Sequence, residues 1–565
     1  VLLLALAVTL VSGVTGHWTP VSDQAMITSF SLDTWSSDPP LLGMPTSLSN
    51  RTGSPVRHPG PLPFWVMGTP ARIMGAPGYG MIFGAVAIQA GAVAVLALVT
   101  TRMRRLGDGL AVAVTTAVLM ASMTAPALRD PFNPHLAILT CFAAMVAVWA
   151  YAAGDDWALV GFVAAGSMAA QAHVTLVPVV ALFVLLAVLV TGMELRRRDR
   201  GDARRVRLLG RVLPAAVLTG LFCWSGPIID QLWGTGNLVA LLTGSGDVEP
   251  AGFGYGLERL VDAVAPRPIW TTLSVGGHLP APSGGRVVLA MVVLGVIVGV
   301  GVWALRTRRR HLLALQVTAL TAAVAGVVTS SRIPSDDRAM QSPANRYFWW
   351  ALGAFITMAF VVGAAHAVSA AVSSLVDLTA VVRRRARVAG AAAALLAVAW
   401  CTLAMGPYGV QRQSGSVMYG AVRQHAGAIA QRVPDGGTVR VQARNTSLNN
   451  YIFVQSLVGQ LRLRGLEVDV DVVDGFGFFA AYRGDHPPSD SEDLVVWVQG
   501  DPEQPPAPAG YELISRYHPD DPPAAFEGYE TGVLLAGGKP VSTVSATEQD
   551  VPRLWTPPPP PPPPS

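Results

Sequence analysis

Long apolar runs separated by short arginine-rich breaks set the plan of this chain. The runs fall at about residues 1–15, 79–100, 109–128, 135–153, 157–172, 174–192, 212–228, 286–305, 312–330, 347–371 and 388–406. Most approach the roughly 20 residues a helix needs to cross the hydrocarbon core of a bilayer. The pattern predicts an α-helical polytopic membrane protein with about 11 transmembrane helices. The runs at 157–172 and 174–192 nearly touch, with His173 alone between them. Residues 1–15 read better as a first span than as a signal peptide, and a chain that begins at Val1 rather than Met leaves the true N-terminus open.

The basic residues sort these spans into a topology. Arg102, Arg104 and Arg105 follow the second run, and a dense group from Arg196 to Arg211 separates the sixth from the seventh. Arg306, Arg308, Arg309 and Arg310 follow the eighth, and Arg383, Arg384, Arg385 and Arg387 follow the tenth. Basic loops stay in the cytoplasm. With eleven spans and the N-terminus inside, all four groups fall on that side. The outside then receives residues 16–78, 129–134, 229–285, 331–346 and everything after about 407. Trp349 and Trp350 are expected at the outer interface, where amphipathic rings settle.

Beyond the last run the pattern changes. From Ser414 onward the chain holds 10 basic and 18 acidic residues, a net of −8. "TVRVQA" (Thr438–Ala443), "LEVDVDVV" (Leu466–Val473) and "DLVVWVQ" (Asp493–Gln499) read as strands, and Leu448–Gly465 as an amphipathic helix. The expectation is a transmembrane unit over 1–406, with its first outer loop at 16–78, and a small extracytoplasmic α/β domain over 407–550. A Pro-rich disordered tail is expected over 551–565. No GxGxxG follows the first strand, so no nucleotide site is expected.

Composition agrees with this plan. The 565 residues are 51% hydrophobic and 13% charged, about half the charge usual in soluble domains. The formal charge of +4 is carried by arginines beside apolar runs, which is membrane topology rather than a nucleic-acid face. Cys141, Cys223 and Cys401 all lie in apolar segments, with neither disulfide nor zinc spacing.

Candidate chemistry collects in the outer loops. Asp23 follows the first span by a few residues; it could serve as a base on a sugar hydroxyl, hold a cation against a lipid phosphate, cap a helix, or sit hydrated. "VRHPGPLPFW" (Val56–Trp65) predicts a bent backbone returning to the bilayer with Arg57 and His58 at the surface, able to bond a phosphate. "RDPFNPH" (Arg129–His135) is a short outer turn, and "QAHVTLVP" (Gln171–Pro178) puts His173 at a span edge, either functional or bonded to a neighbouring helix. Arg332, Arg338 and Arg346 lie on an outer loop against the topology preference; an anionic headgroup or salt bridges to Asp336 and Asp337 would account for them.

In this order, "SDQA" with Asp23, "HPGPLPFW", "NPHLAIL" (Asn133–Leu139) and "AAGSMAAQAHVTLVP" (Ala164–Pro178) resemble the C-type (GT-C) polytopic glycosyltransferases. The branch is the one similar to protein mannosyltransferases and aminoarabinose transferases, and the bias to Arg over Lys suits actinobacterial members. The resemblance covers roughly residues 1–200 by motif and the rest by topology. It implies transfer of a sugar from a polyprenyl-phosphate donor, at the outer face, to a cell-envelope glycan, lipid or protein. It implies Asp23 as catalytic base, with Arg57, His58, His135, His173 and Arg346 as substrate-binding residues. Many relatives carry an adjacent acidic pair where this chain has Ser22–Asp23–Gln24, which favours a single base over a metal site. No cofactor is required by the sequence, though a divalent cation, Mg or Mn, stays open. The expected partners are that donor, the acceptor and the lipid bilayer, and no nucleic acid. A transporter or flippase of a polyprenyl-linked lipid is the alternative; it should show an internal repeat or broken helices. A non-catalytic scaffold is a third reading, disfavoured by the organised first loop.

Overall fold

The computed structural model describes residues 1–15, 18–46, 56–196, 202–243, 249–271, 279–375, 380–403, 416–433, 436–443, 448–471, 492–499, 511–517 and 530–536. Among them eight helices are long and apolar enough to cross a membrane. Their order begins with α1 (Leu2–Thr15), α2 (Asp23–Leu32), α3 (Leu62–Ile73), α4 (Pro77–Met103), α5 (Leu106–Arg129) and α6 (Asn133–Ala153). Next come α7 (Ala158–Ala172), α8 (Leu176–Arg196), α9 (Leu213–Trp233), α10 (Asn237–Thr243), α11 (Gly252–Val264) and α12 (Gly284–Arg306). The bundle ends with α13 (Arg310–Ser331), α14 (Phe348–Leu375) and α15 (Ala380–Leu403). The spans are α4, α5, α6, α8, α9, α12, α13 and α14, with α1, α7 and α15 as shorter apolar helices. Each of the eleven apolar runs of the sequence is therefore a helix, and the chain is a multi-pass membrane protein. α7 and α8 are separate because His173 adopts extended backbone (φ −147°, ψ 131°) and ends α7. Pro178 then falls in the first turn of α8, where its missing N–H costs no helix bond.

α6 is the axis of the bundle. It is apolar on every face and buried along nearly its whole length, and its many alanines let neighbouring helices approach. Inside lipid such close contact, rather than exclusion of water, holds helices together. α13 and α14 show the same device. A Cβ at Gly326 would lie 2.3 Å from the Trp349 ring, so only glycine leaves the slot that the indole fills. Trp349 Nε1 donates to Ser330 Oγ at 2.8 Å. Trp349 and Trp350 are thus both buried in the bundle, 0% and 1% exposed, and do not form the interfacial belt expected of them.

The loop after α1 holds more helix than its Pro- and Gly-rich sequence predicts, since α2 and α3 lie in it. Both are short, and each turns a run of small and apolar side chains onto its neighbours: Ala25, Met26, Ile27 and Phe30 from α2, Leu62, Phe64, Met67 and Ala71 from α3. The Gly43 N–H donates to the His58 carbonyl and the His58 N–H to the Met44 carbonyl, with Pro45 and Arg57 bridged beside them, which ties these two stretches of the loop together.

Past the bundle come α16 (Ser416–Ala430) and α17 (Leu448–Leu463) beside a five-stranded sheet of order β2-β1-β3-β5-β4. β1 (Thr438–Ala443) pairs parallel with β2 (Glu467–Asp471) and β3 (Glu492–Gln499), while β5 (Glu530–Ala536) runs antiparallel to β3 and β4 (Tyr511–Tyr517). The first three strands match the sequence reading, and β4 and β5 are additions to it. The expected Pro-rich tail lies outside the described residues.

Candidate functional site

Helices crossing in alternate directions bring the first-loop helices and the α5–α6 turn to one end of the bundle. The arginine-rich connections gather at the other. α5 alone, at 24 residues, separates the two ends by roughly 30 Å or more.

Asp23 is the first residue of α2 and half-buried. Ser22 before it takes a left-handed φ of 54° with ψ −128°, a conformation that L-residues rarely adopt. Its N–H donates to Ser456 Oγ of α17 at 2.9 Å. The same face of α17 supplies Gly459 and Arg462, three and six residues on. A Cβ at Gly459 would lie 2.7 Å from that of Ala25, so the two helices touch backbone to backbone. Arg462 grips the far end of α2 through Asp33 and, at 3.0 Å, the Ser29 carbonyl. α17 thus holds α2 at both ends and fixes where Asp23 stands.

From Asp23 a line of polar side chains runs inward. Gln24 Nε2 donates to Asp130 Oδ1 at 2.8 Å. Asp130, in the turn after α5, also accepts the Phe132 N–H at 3.2 Å. His135 Nδ1 lies 3.1 Å from Asp130 Oδ2, the geometry of an imidazole N–H donating to a carboxylate. That bond selects the tautomer with a free lone pair on Nε2. The His135 ring rests 5.0 Å from Phe132 and 5.3 Å from Tyr347, and Tyr347 packs edge-on against Trp350. α16 adds Tyr419, whose hydroxyl is pushed up by burial and by the nearby Asp130 charge.

Arg346 follows directly. It is 2% exposed, donates from Nη2 to the Gln341 carbonyl at 3.0 Å, and lies within electrostatic reach of Tyr255, Arg259 and Asp262. Those three belong to α11, an amphipathic helix between spans. Arg259 is 1% exposed, sits 3.2 Å from Asp262 and packs 5.0 Å from the Tyr255 ring. Arg286 Nη1 donates to Asp262 at 2.9 Å. Burial pushes the Asp262 carboxyl up, and Arg259 and Arg286 pull it back. Three arginines therefore lie together here with two carboxylates, Asp262 and Glu258, the latter 3.2 Å from Arg259, which leaves one positive charge in excess to meet a phosphate.

The other expected residues are placed differently. His58 is enclosed rather than presented at the surface: its Nδ1 accepts the Val174 N–H at 2.9 Å and its Nε2 is 3.2 Å from the Asn133 amide. His173 stands 5.1 Å away, ring to ring, with Nδ1 bonded to Thr175 Oγ1 at 2.7 Å. Burial drives the His173 pKa down to about 4, and burial with the neighbouring His173 drives that of His58 well down. Two neutral imidazoles so engaged tie the "HPGP" turn to the α7–α8 break. Gly60 makes that turn possible, since a Cβ there would meet Gln171 Oε1 at 2.3 Å, and Gln171 itself accepts the Leu62 N–H at 3.1 Å. Arg57 is anchored through its backbone to Asn237 at 2.8 and 3.1 Å, and its guanidinium lies 5.4 Å from the Phe30 ring. Asp130 and Arg259 are the residues that the sequence reading passed over. The first stood in a quoted turn; the second was signalled by the amphipathic spacing of "GYGLERLVDAV" (Gly254–Val264). Among the described residues no three His, Cys, Asp or Glu side chains gather as a metal-holding group.

The helix count defines a polytopic helical membrane protein, as expected from the sequence. The fold is shared with ArnT from Cupriavidus metallidurans. Its crystal structure bound to undecaprenyl phosphate superposes with a TM-score of 0.50 at 14% identity, over 95% of this chain and 98% of that one. The apo state of the same protein gives 0.49 at 15% identity, with the same coverage. No protein-family model and no curated protein matches the chain.

Proposed function

We propose that this protein transfers a sugar from a polyprenyl-phosphate-linked donor to a cell-envelope glycan, lipid or protein at the outer face of the membrane. The observation that carries this reading is the continuous polar line Asp23–Gln24–Asp130–His135–Tyr347–Arg346–Arg259 at one end of a bundle folded like ArnT. ArnT has been crystallised with undecaprenyl phosphate. The arginine connections at the opposite end support placing the polar end outside.

In this reading Asp23 takes the proton of the acceptor hydroxyl as its oxygen attacks the anomeric carbon. The bond from that carbon to the phosphate oxygen breaks, and the electron pair leaves with the polyprenyl phosphate. The departing anion is met by Arg346, with Arg259 and Arg286 behind it, charges already in place before the reaction. Asp130 orients Gln24 and His135 beside the base. An apolar groove of about 990 Å³, lined by Leu62, Trp65, Ile73, Phe83 and Phe222, suits an isoprenoid chain.

The test uses the purified full-length chain in detergent with radiolabelled polyprenyl-phosphate sugars and envelope acceptors. Sugar should leave the lipid and appear on the acceptor, and Asp23→Asn should lower this about 10³-fold. Lipid movement between leaflets by the same chain reconstituted in vesicles, without sugar release, would overturn the proposal.

A further inference from the structure

The arginine end carries a feature that sugar transfer leaves unused. The α4–α5, α6–α7 and α12–α13 connections, with the lead into α9, enclose an open cavity of about 1070 Å³. Seven arginines line it against two carboxylates, Asp155 and Asp156. Arg310 is occupied by Glu194 at 2.6 Å and the Ala152 carbonyl at 2.9 Å, and Arg207 lies 3.6 Å from Asp156. Arg309 stacks 4.4 Å from the Trp303 ring, and Arg105 sits 3.3 Å from His311 Nε2. Arg102, Arg104 and Arg308 complete the lining and are exposed.

The preference for basic loops on one side of a membrane explains how many arginines are here. It does not explain their convergence on one concavity, nor the backbone that carries them. Arg104 and Arg308 both hold left-handed φ, 52° and 57°, where glycine would fit without strain. Two arginines kept in strained turns on the same cavity point to a ligand. Leu106, Val206 and Leu305, next to the arginine stretches, are 67%, 64% and 61% exposed and offer apolar surface beside the charge. A free anion would use only the charge, whereas a lipid uses both. The volume and the surplus of guanidinium groups exceed what one phosphate needs.

We propose that this cavity binds the headgroup of an anionic lipid carrying more than one phosphate, with its acyl chains against the apolar rim.

The experiment uses the full-length protein in detergent, titrated with cardiolipin, with phosphatidylcholine and with inorganic pyrophosphate, read by native mass spectrometry and thermal unfolding. Cardiolipin should stay bound and raise Tm, and the other two should not. The double variant Arg104→Gly/Arg308→Gly should have a higher lipid-free Tm, because both turns relax, yet bind cardiolipin about tenfold more weakly for the loss of two charge-assisted contacts. Arg102→Gln, in ordinary helical backbone, should weaken binding without altering lipid-free Tm. Sugar transfer in detergent should be unchanged in each. Undiminished cardiolipin binding by both variants, equal binding of phosphatidylcholine, or a full Tm shift from pyrophosphate alone would overturn the proposal.

Discussion

The two ends of the bundle handle charge in opposite ways. At the Asp23 end opposite charges are mixed, buried and partnered: Asp130 bonds Gln24 and His135, and Asp262 holds both Arg259 and Arg286. At the arginine end one sign dominates, and the side chains are exposed around an open cavity. A buried mixed network fixes geometry, because every group misplaced there loses a partner it cannot replace from water. An exposed cationic cavity fixes little and attracts much. The first arrangement suits bond-making, and the second suits attachment.

The largest effect should come from Asp23→Asn, which keeps the shape of the side chain and removes its basicity. Transfer should fall about 10³-fold, the range for loss of a general base, with an unchanged Tm. Wild-type turnover in this variant would take chemistry away from the Asp23 end. Arg259→Gln comes next. It leaves Asp262 with Arg286 alone in a buried site, so Tm should fall by an amount matching about 3 kcal/mol, and KM for the donor should rise more than kcat falls. Gly459→Leu should separate α17 from α2 and lower transfer about tenfold, through misplacement of Asp23, while the bundle keeps its helical circular dichroism.

Acid sharpens the contrast further. His425 in α16 is fully buried, edge-on to Phe453 at 5.6 Å, and burial lowers its pKa to about 4 from an ordinary 6.5. The unfolded chain therefore takes up this proton first. The stability that His425 contributes is complete above pH 6.5 and declines by about 1.4 kcal/mol per unit as pH falls from there toward 4. Thermal melts from pH 7.5 to 4.5 should show this slope added to those of His58 and His173, and His425→Phe should remove its share. The smallest effect is Ser330→Ala, which removes the bond from the Trp349 indole at about 1 kcal/mol and is read as a modest loss of Tm.

The spans were legible because a membrane imposes a length and a polarity that composition alone reveals. α2 and α3 were not, since helices of 10 and 12 residues in Pro- and Gly-rich surroundings carry too few turns for a periodic signal. β4 and β5 were missed for a related reason. "ETGVLLA" (Glu530–Ala536) is a short apolar run holding a glycine, and its strand character comes from pairing on both sides. Of the candidate site, the motifs named segments that the fold brings to one end of the bundle, yet burial reordered their members. His58 and His173 turned inward because the extended break at residue 173 brings the Val174 N–H to the His58 ring. Arg462 could not be linked to Asp33 by any local pattern, for 429 positions separate them.

The contact between Ser22 and Ser456 joins positions 434 apart, so a segment made early waits for one made much later. A partly synthesised chain can insert its spans while the strained residue ahead of Asp23 still lacks its clamp. A copy cut short before α17 would keep its spans and leave the start of α2 without that bond.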